Sequence, residues 1–183
     1  LDSRMRRLHI IAPVTALVAL AAGCGLNHNG GESPSATSGS GHTIQELCDF
    51  PKQFYATQFN ADNLEVSVVA TKPMTALISG GNACGYHTAD NNFRGTISLA
   101  HSDDAPGPSA AGSPSVTTRT VDGISITETP VALPPGWTST EPHLTLSAVI
   151  DEWRGEFTFW GRDEPTIQAG AQTLVSMIRA LKG

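Results

Sequence analysis

The sequence predicts an α+β domain, a mainly antiparallel sheet with an N-terminal helix and a C-terminal amphipathic helix packed on it. Three observations carry that reading. Several short runs alternate apolar and polar residues with a period of two, as half-buried strands do. Val116 to Val121 and Ile124 to Thr129 flank Asp122-Gly123, a strong type I′ hairpin signal. The last twenty residues place Ile167, Ala171, Leu174, Ile178 and Leu181 on one helical face, with Val175 beside them.

Each element follows in order. Thr43-Ile44-Gln45-Glu46 fits a capping box, so a short helix begins there and carries Leu47 and Cys48. Pro51 breaks or kinks it, and Phe54, Tyr55 and Phe59 continue an apolar face. From Leu64 the period changes to two through Val66, Val68 and Ala70. Ala83 to Thr88 and Gly95 to His101 read as paired strands joined through Asp90-Asn91-Asn92. Residues 102–115 are low in complexity and long for a hairpin loop. After the Asp122-Gly123 hairpin, Pro134-Pro135-Gly136-Trp137 reads as a rigid turn. Leu144, Leu146, Ala148 and Ile150 alternate again, Asp151 to Gly155 read as a turn, and Glu156 to Trp160 return as a strand. Asp163 caps the closing helix, and Pro165 suits its first turn. The sum is six or seven strands with helices at both ends of a domain over 43–183.

Upstream of that domain the chain reads as an address. Arg4, Arg6 and Arg7 precede an apolar run from Leu8 to Ala22, which is too short to span a bilayer and has the pattern of a secretory signal over 1–23. The run ends in Ala21-Ala22-Gly23-Cys24, which resembles a bacterial lipobox. That resemblance implies cleavage before Cys24 and acylation of its thiol. Each buried CH₂ contributes about 0.8 kcal/mol, so two or three acyl chains hold a protein on a membrane. Residues 24–42 then form a lipidated Cys and a Gly/Ser tether with almost nothing apolar to bury.

Charge narrows the partners. The chain carries a formal charge of −6, and loss of residues 1–23 would leave eight basic and sixteen acidic residues, net −8. No basic surface exists to neutralise phosphates, which argues against nucleic acid. An acidic domain is also repelled by anionic headgroups, so the lipid must supply the attachment. Cys48 and Cys84 are the two cysteines left in the folded part, and export favours a disulfide between them.

Catalytic chemistry is weakly signalled. The sequence contains no nucleophile elbow, phosphate-binding loop or H-E-x-x-H, and it calls for no cofactor and no metal. His101, Asp103 and Asp104 offer ligand types, but they read better as a strand end and a solvated acidic loop. Asp151, Glu152 and Glu156, with Asp163 and Glu164, supply carboxylates of the kind a glycoside hydrolase pairs. They also bracket turns and a helix start, where acids are expected anyway. His87 and His143 are isolated, and no spacing ties them to Ser98 or Ser147. Trp137, Trp153 and Trp160 fall late in the chain, two of them beside expected turns, and form the candidate binding surface.

Taken together, lipobox Cys24, the Gly/Ser/Pro tether, a first helix with Cys48, a second cysteine in Ala83-Cys84-Gly85-Tyr86 and a closing amphipathic helix resemble small actinobacterial, mycobacterial-type secreted lipoproteins. The resemblance implies a site on the outer face of the cytoplasmic membrane or in the cell wall. The expected function is a non-catalytic binding or accessory domain that contacts an envelope lipid or another exported protein. Two alternatives stand beside it, a carrier with an internal apolar cavity and an envelope hydrolase acting through the carboxylates.

Overall fold

The computed structural model describes residues 39–69, 72–103, 116–131 and 143–183. The signal segment, Cys24, most of the tether, Asp104 and Trp137 lie outside the described residues. Within them the chain is α+β: a single seven-stranded antiparallel sheet with helices from both ends of the domain on one face.

The helices form where the sequence places their caps. α1 (Ile44–Asp49) opens on a reciprocal capping box: the Thr43 side chain accepts from the Glu46 N–H while Glu46 accepts from the Thr43 N–H. The Thr43 N–H, then His42, then the Thr43 hydroxyl hold the Glu46 carboxyl down at about 2. Thr43→Ala removes this cap and is expected to cost about 1 kcal/mol. Chemical denaturation reads that loss, and an unchanged midpoint would mean that tertiary contacts alone hold α1. Pro51 then separates α1 from α2 (Lys52–Phe59), which ends on Asn60 in the left-handed conformation at φ 50°. Residues 40–42, expected in the tether, are already bound to the fold. Ser40 donates to the Ile78 carbonyl at 3.3 Å, and the Ile78 N–H returns to His42 at 2.7 Å. Gly183 closes against the same place, where a Cβ on it would stand 3.0 Å from the Ser40 Cα.

The strands are β1 (Glu65–Val68), β2 (Asn82–His87), β3 (Phe93–His101), β4 (Thr117–Val121), β5 (Ile124–Val131), β6 (His143–Ile150) and β7 (Trp153–Trp160). Their order across the sheet is β1-β2-β3-β7-β6-β5-β4, so β3 and β4 are neighbours in sequence but not in space. The β4–β5 turn has φ 49° at Asp122 and 79° at Gly123, both positive as a type I′ turn requires. The β6–β7 turn is tighter than the sequence suggests. Asp151 and Glu152 both adopt positive φ, at 47° and 67°, and make the whole turn between them. Gly155 therefore sits inside β7, where close packing explains it: a Cβ there would meet Ile178 Cγ1 at 2.6 Å.

α3 (Glu164–Leu181) starts where Asp163 accepts from the Thr166 N–H, and it lies across β6 and β7. Gly170 lets it approach, since a Cβ there would stand 2.6 Å from two ring carbons of Phe159. Between helices and sheet the core is aromatic. Phe54 meets Phe157 at 4.9 Å and Phe159 at 5.0 Å, both edge-on. Cys48 and Cys84 form a disulfide that ties α1 to β2, and the Tyr86 hydroxyl donates to the Cys48 carbonyl beside it at 2.8 Å.

One polar staple crosses the edge of the sheet. Arg119 on β4 pairs with Glu128 on β5, reaches Glu164 at 2.8 Å and Gln168 at 3.1 Å on α3, and Thr117 adds a bond to Glu128. The Arg119 and Glu128 side chains are only 16% and 12% exposed, so removing one strands the other. Arg119→Ala is expected to cost about 2 kcal/mol and to speed amide exchange in β4 and β5. Arg119 also holds the Glu164 carboxyl below its ordinary range. A carboxyl lowered by folding contributes fully above its unfolded value and loses that contribution as pH falls through its folded value. Hairpin exchange should therefore accelerate on acidification from about pH 5 downwards, and a pH-independent rate would show that Glu164 carries none of the staple.

Candidate functional site

The two described tryptophans are structural. Trp153 is 4% exposed and Trp160 7%, so neither presents a surface. The short β6–β7 turn leaves Trp153 inside the strand, opposite Ile150 and His101 and edge-on to the His101 ring, rather than at a hairpin tip. Trp160 packs on Phe59 at 4.0 Å and on Tyr55 at 5.6 Å, with the Arg94 guanidinium 4.7 Å above its ring.

The carboxylates are dispersed rather than gathered. Asp151 pairs with Lys182, Glu164 with Arg119, and Asp163 caps α3. Glu152 lies 3.6 Å from His101 Nε2 while Asp103 lies 3.7 Å from Nδ1, so the two acids flank opposite edges of the ring. Such an arrangement orients an imidazole and does not converge on one ion. Among the described residues no group of three or more His, Cys, Asp or Glu side chains has metal-binding geometry. The His87 ring stands edge-on to Phe93 at 5.6 Å, and Phe93 stacks on His143 at 6.0 Å. Among the described residues, His87 makes no hydrogen bond to Ser98 or Ser147.

The distinctive surface is the sheet face away from the helices. Strand alternation sends Thr96 and Ser98 of β3, Thr127 and Thr129 of β5, Thr145 and Ser147 of β6, and Glu156 and Thr158 of β7 to that side. The register lines them up in rows. One runs Thr118, Thr127, Ser147, Glu156, Ser98 across five strands. The next runs Thr129, Thr145, Thr158, Thr96. Thr145 and Thr158 are bonded hydroxyl to hydroxyl at 2.8 Å.

A concavity of about 730 Å³ is set into this face, a size usual for small-molecule sites. Its floor is hydroxyl-rich, with Thr127, Thr145 and Ser147, and its rim carries Val116 and Val149, each about half exposed. Arg154 and Glu156 stand in it two residues apart on β7. Among the described residues neither forms an ion pair or side-chain hydrogen bond, and Arg154 Nε is buried without an acceptor. Glu156 was legible as an acid, but not as part of a hydroxyl face. The signal was the repeated hydroxyl-x-hydroxyl spacing in Thr96-x-Ser98, Thr127-x-Thr129 and Thr145-x-Ser147.

A second, shallower groove of about 330 Å³ runs between α2 and α3, lined by Gln53, Thr57, Gln58, Gln172 and Ser176 among others. Among the described residues, no helix is long and apolar enough to cross a membrane. Compared with known protein families, curated proteins and solved structures, the chain matches none of them.

Proposed function

We propose that this chain is an exported lipoprotein, held at the cell envelope through acylated Cys24, whose folded domain serves as a non-catalytic binding or accessory module. The observation that carries the binding part is the hydroxyl-lined concavity on the sheet face away from the helices, where, among the described residues, neither Arg154 nor Glu156 has an ion-pair partner. Arg154 Nε is buried there without an acceptor, a demand that an incoming acceptor would meet. The anchor part rests on the order of basic residues, apolar run, small residues and Cys24. The acyl chains supply attachment, the segment after Cys24 supplies reach, and the disulfide keeps the domain folded outside the cell.

The anchor has its own test. Cys24→Ala is expected to release the protein from membranes and to leave a precursor without the added lipid mass. Unchanged membrane fractionation together with an unchanged intact mass would refute the lipoprotein reading. The binding part is tested by exposing the protein to the low-mass fraction of an envelope extract while amide signals are followed residue by residue. Shifts confined to β5, β6 and β7 are the expected result, and shifts only along α2 and α3 would move the site to the helical groove.

A further inference from the structure

We infer that the open-face concavity takes a small zwitterionic peptide, its carboxylate on Arg154 and its ammonium on Glu156. This rests on the preceding reading of that face as the binding surface, and it names the ligand's chemistry.

The two charges decide the class. Arg154 and Glu156 project from the same side of β7, and at about 3.3 Å rise per residue their positions are roughly 7 Å apart. A ligand that covers the concavity takes both charges out of water. A neutral sugar would leave each without a counter-charge, which is the costly case for a covered ion. An acyl chain would do the same and would also strip the hydroxyl floor of its water. An anion alone is opposed by Glu156, and a cation alone by Arg154. A molecule that brings one charge of each sign at the matching separation satisfies both, through charge-assisted hydrogen bonds that Arg makes to carboxylates in bidentate fashion.

Length follows from the same spacing. An extended chain advances about 3.5 Å per residue, so the amino and carboxyl ends of a dipeptide lie roughly as far apart as the two strand positions. Ser147, level with Glu156 on β6, and Thr127 beyond it on β5 flank the ammonium end and can donate or accept through their hydroxyls. Small aliphatic side chains reach the exposed Val149 at the rim. Arg119, Lys182 and Arg179 are engaged with Glu128, Asp151 and Asp122, and Arg94 lies over the Trp160 ring.

The test uses the full chain in mild detergent, with Ala-Ala as the probe and its N-acetylated and C-amidated forms as charge-blocked controls. Amide signals report the site, and titration reports affinity. Saturable binding of Ala-Ala with shifts on β5, β6 and β7 is expected. Blocking either end should weaken it at least tenfold, as should Arg154→Gln or Glu156→Gln in variants with unchanged melting temperature. The double exchange Arg154→Glu with Glu156→Arg should bind again with the peptide reversed. Equal binding of the blocked and free dipeptides would overturn the charge pairing. If the envelope fraction shifts the open face and Ala-Ala does not, the ligand class is wrong and the surface reading stands. If neither shifts it, both fall.

Discussion

Gly95→Ala is expected to cost about 4 kcal/mol, the sum of backbone strain and overpacking. Gly95 has φ 154°, which side-chain-bearing residues rarely adopt. A Cβ there would lie 2.1 Å from the Thr158 carbonyl oxygen and 2.4 Å from the Tyr55 hydroxyl. The first contact is with the backbone of the neighbouring strand, so no rotamer change relieves it. The position lies beside the β2–β3 register shift at Tyr86 and His87 and opposite Phe159 of β7. Combining the change with Tyr55→Phe removes only the second contact and should recover little. Equilibrium urea unfolding measures the cost. A loss below about 1 kcal/mol would show that β3 shifts freely at this point and that the sheet centre is less constrained than its packing implies.

Loss of the Cys48–Cys84 link is the other large effect. The two cysteines are 36 residues apart in sequence, and in the chain-entropy treatment a loop of that size is worth roughly 3–4 kcal/mol. Cys48→Ala with Cys84→Ala removes the link and leaves small apolar residues in a fully buried place. The bond joins α1 to β2, next to the Tyr86 hydroxyl on the Cys48 carbonyl, so its loss should free α1 first. Amide exchange in Ile44 to Asp49 is expected to rise more than in β6 or β7, and the melting temperature to fall. Equal protection of α1 with and without the link would mean that the capping box and aromatic packing hold the helix unaided.

How far the sequence foretold this molecule depends on the kind of residue. The capping box at Thr43 and Glu46, the Pro51 break, the Asp122-Gly123 turn and the helical face through Leu174 and Ile178 are local signals, and each appears where the sequence places it. The disulfide was legible because only Cys48 and Cys84 lie in the folded part. Gly155 misled because a glycine after two acids resembles a turn, whereas its real partner is Ile178, 23 positions later in sequence and close in space. Trp153 and Trp160 misled for the same reason. Their burial depends on which elements meet, and no spacing along the chain encodes that. The hydroxyl face was missed because attention to apolar alternation leaves the other half of each strand unread. Thr and Ser at those positions are ordinary one strand at a time, and they become a surface only once the register sets five strands side by side.

The close approach of Gly183 to Ser40 has a topological consequence. The two ends of the described fold meet. A rearranged chain in which Gly183 leads directly into Gly39 needs little or no added spacer, and new ends cut at the exposed Asp122-Gly123 turn would separate β4 from β5 while leaving every other strand pair continuous. Such a permuted protein should keep the native sheet if the core is assembled by packing rather than by chain order. It would also move the chain ends from the helical side of the domain to the far edge of the sheet.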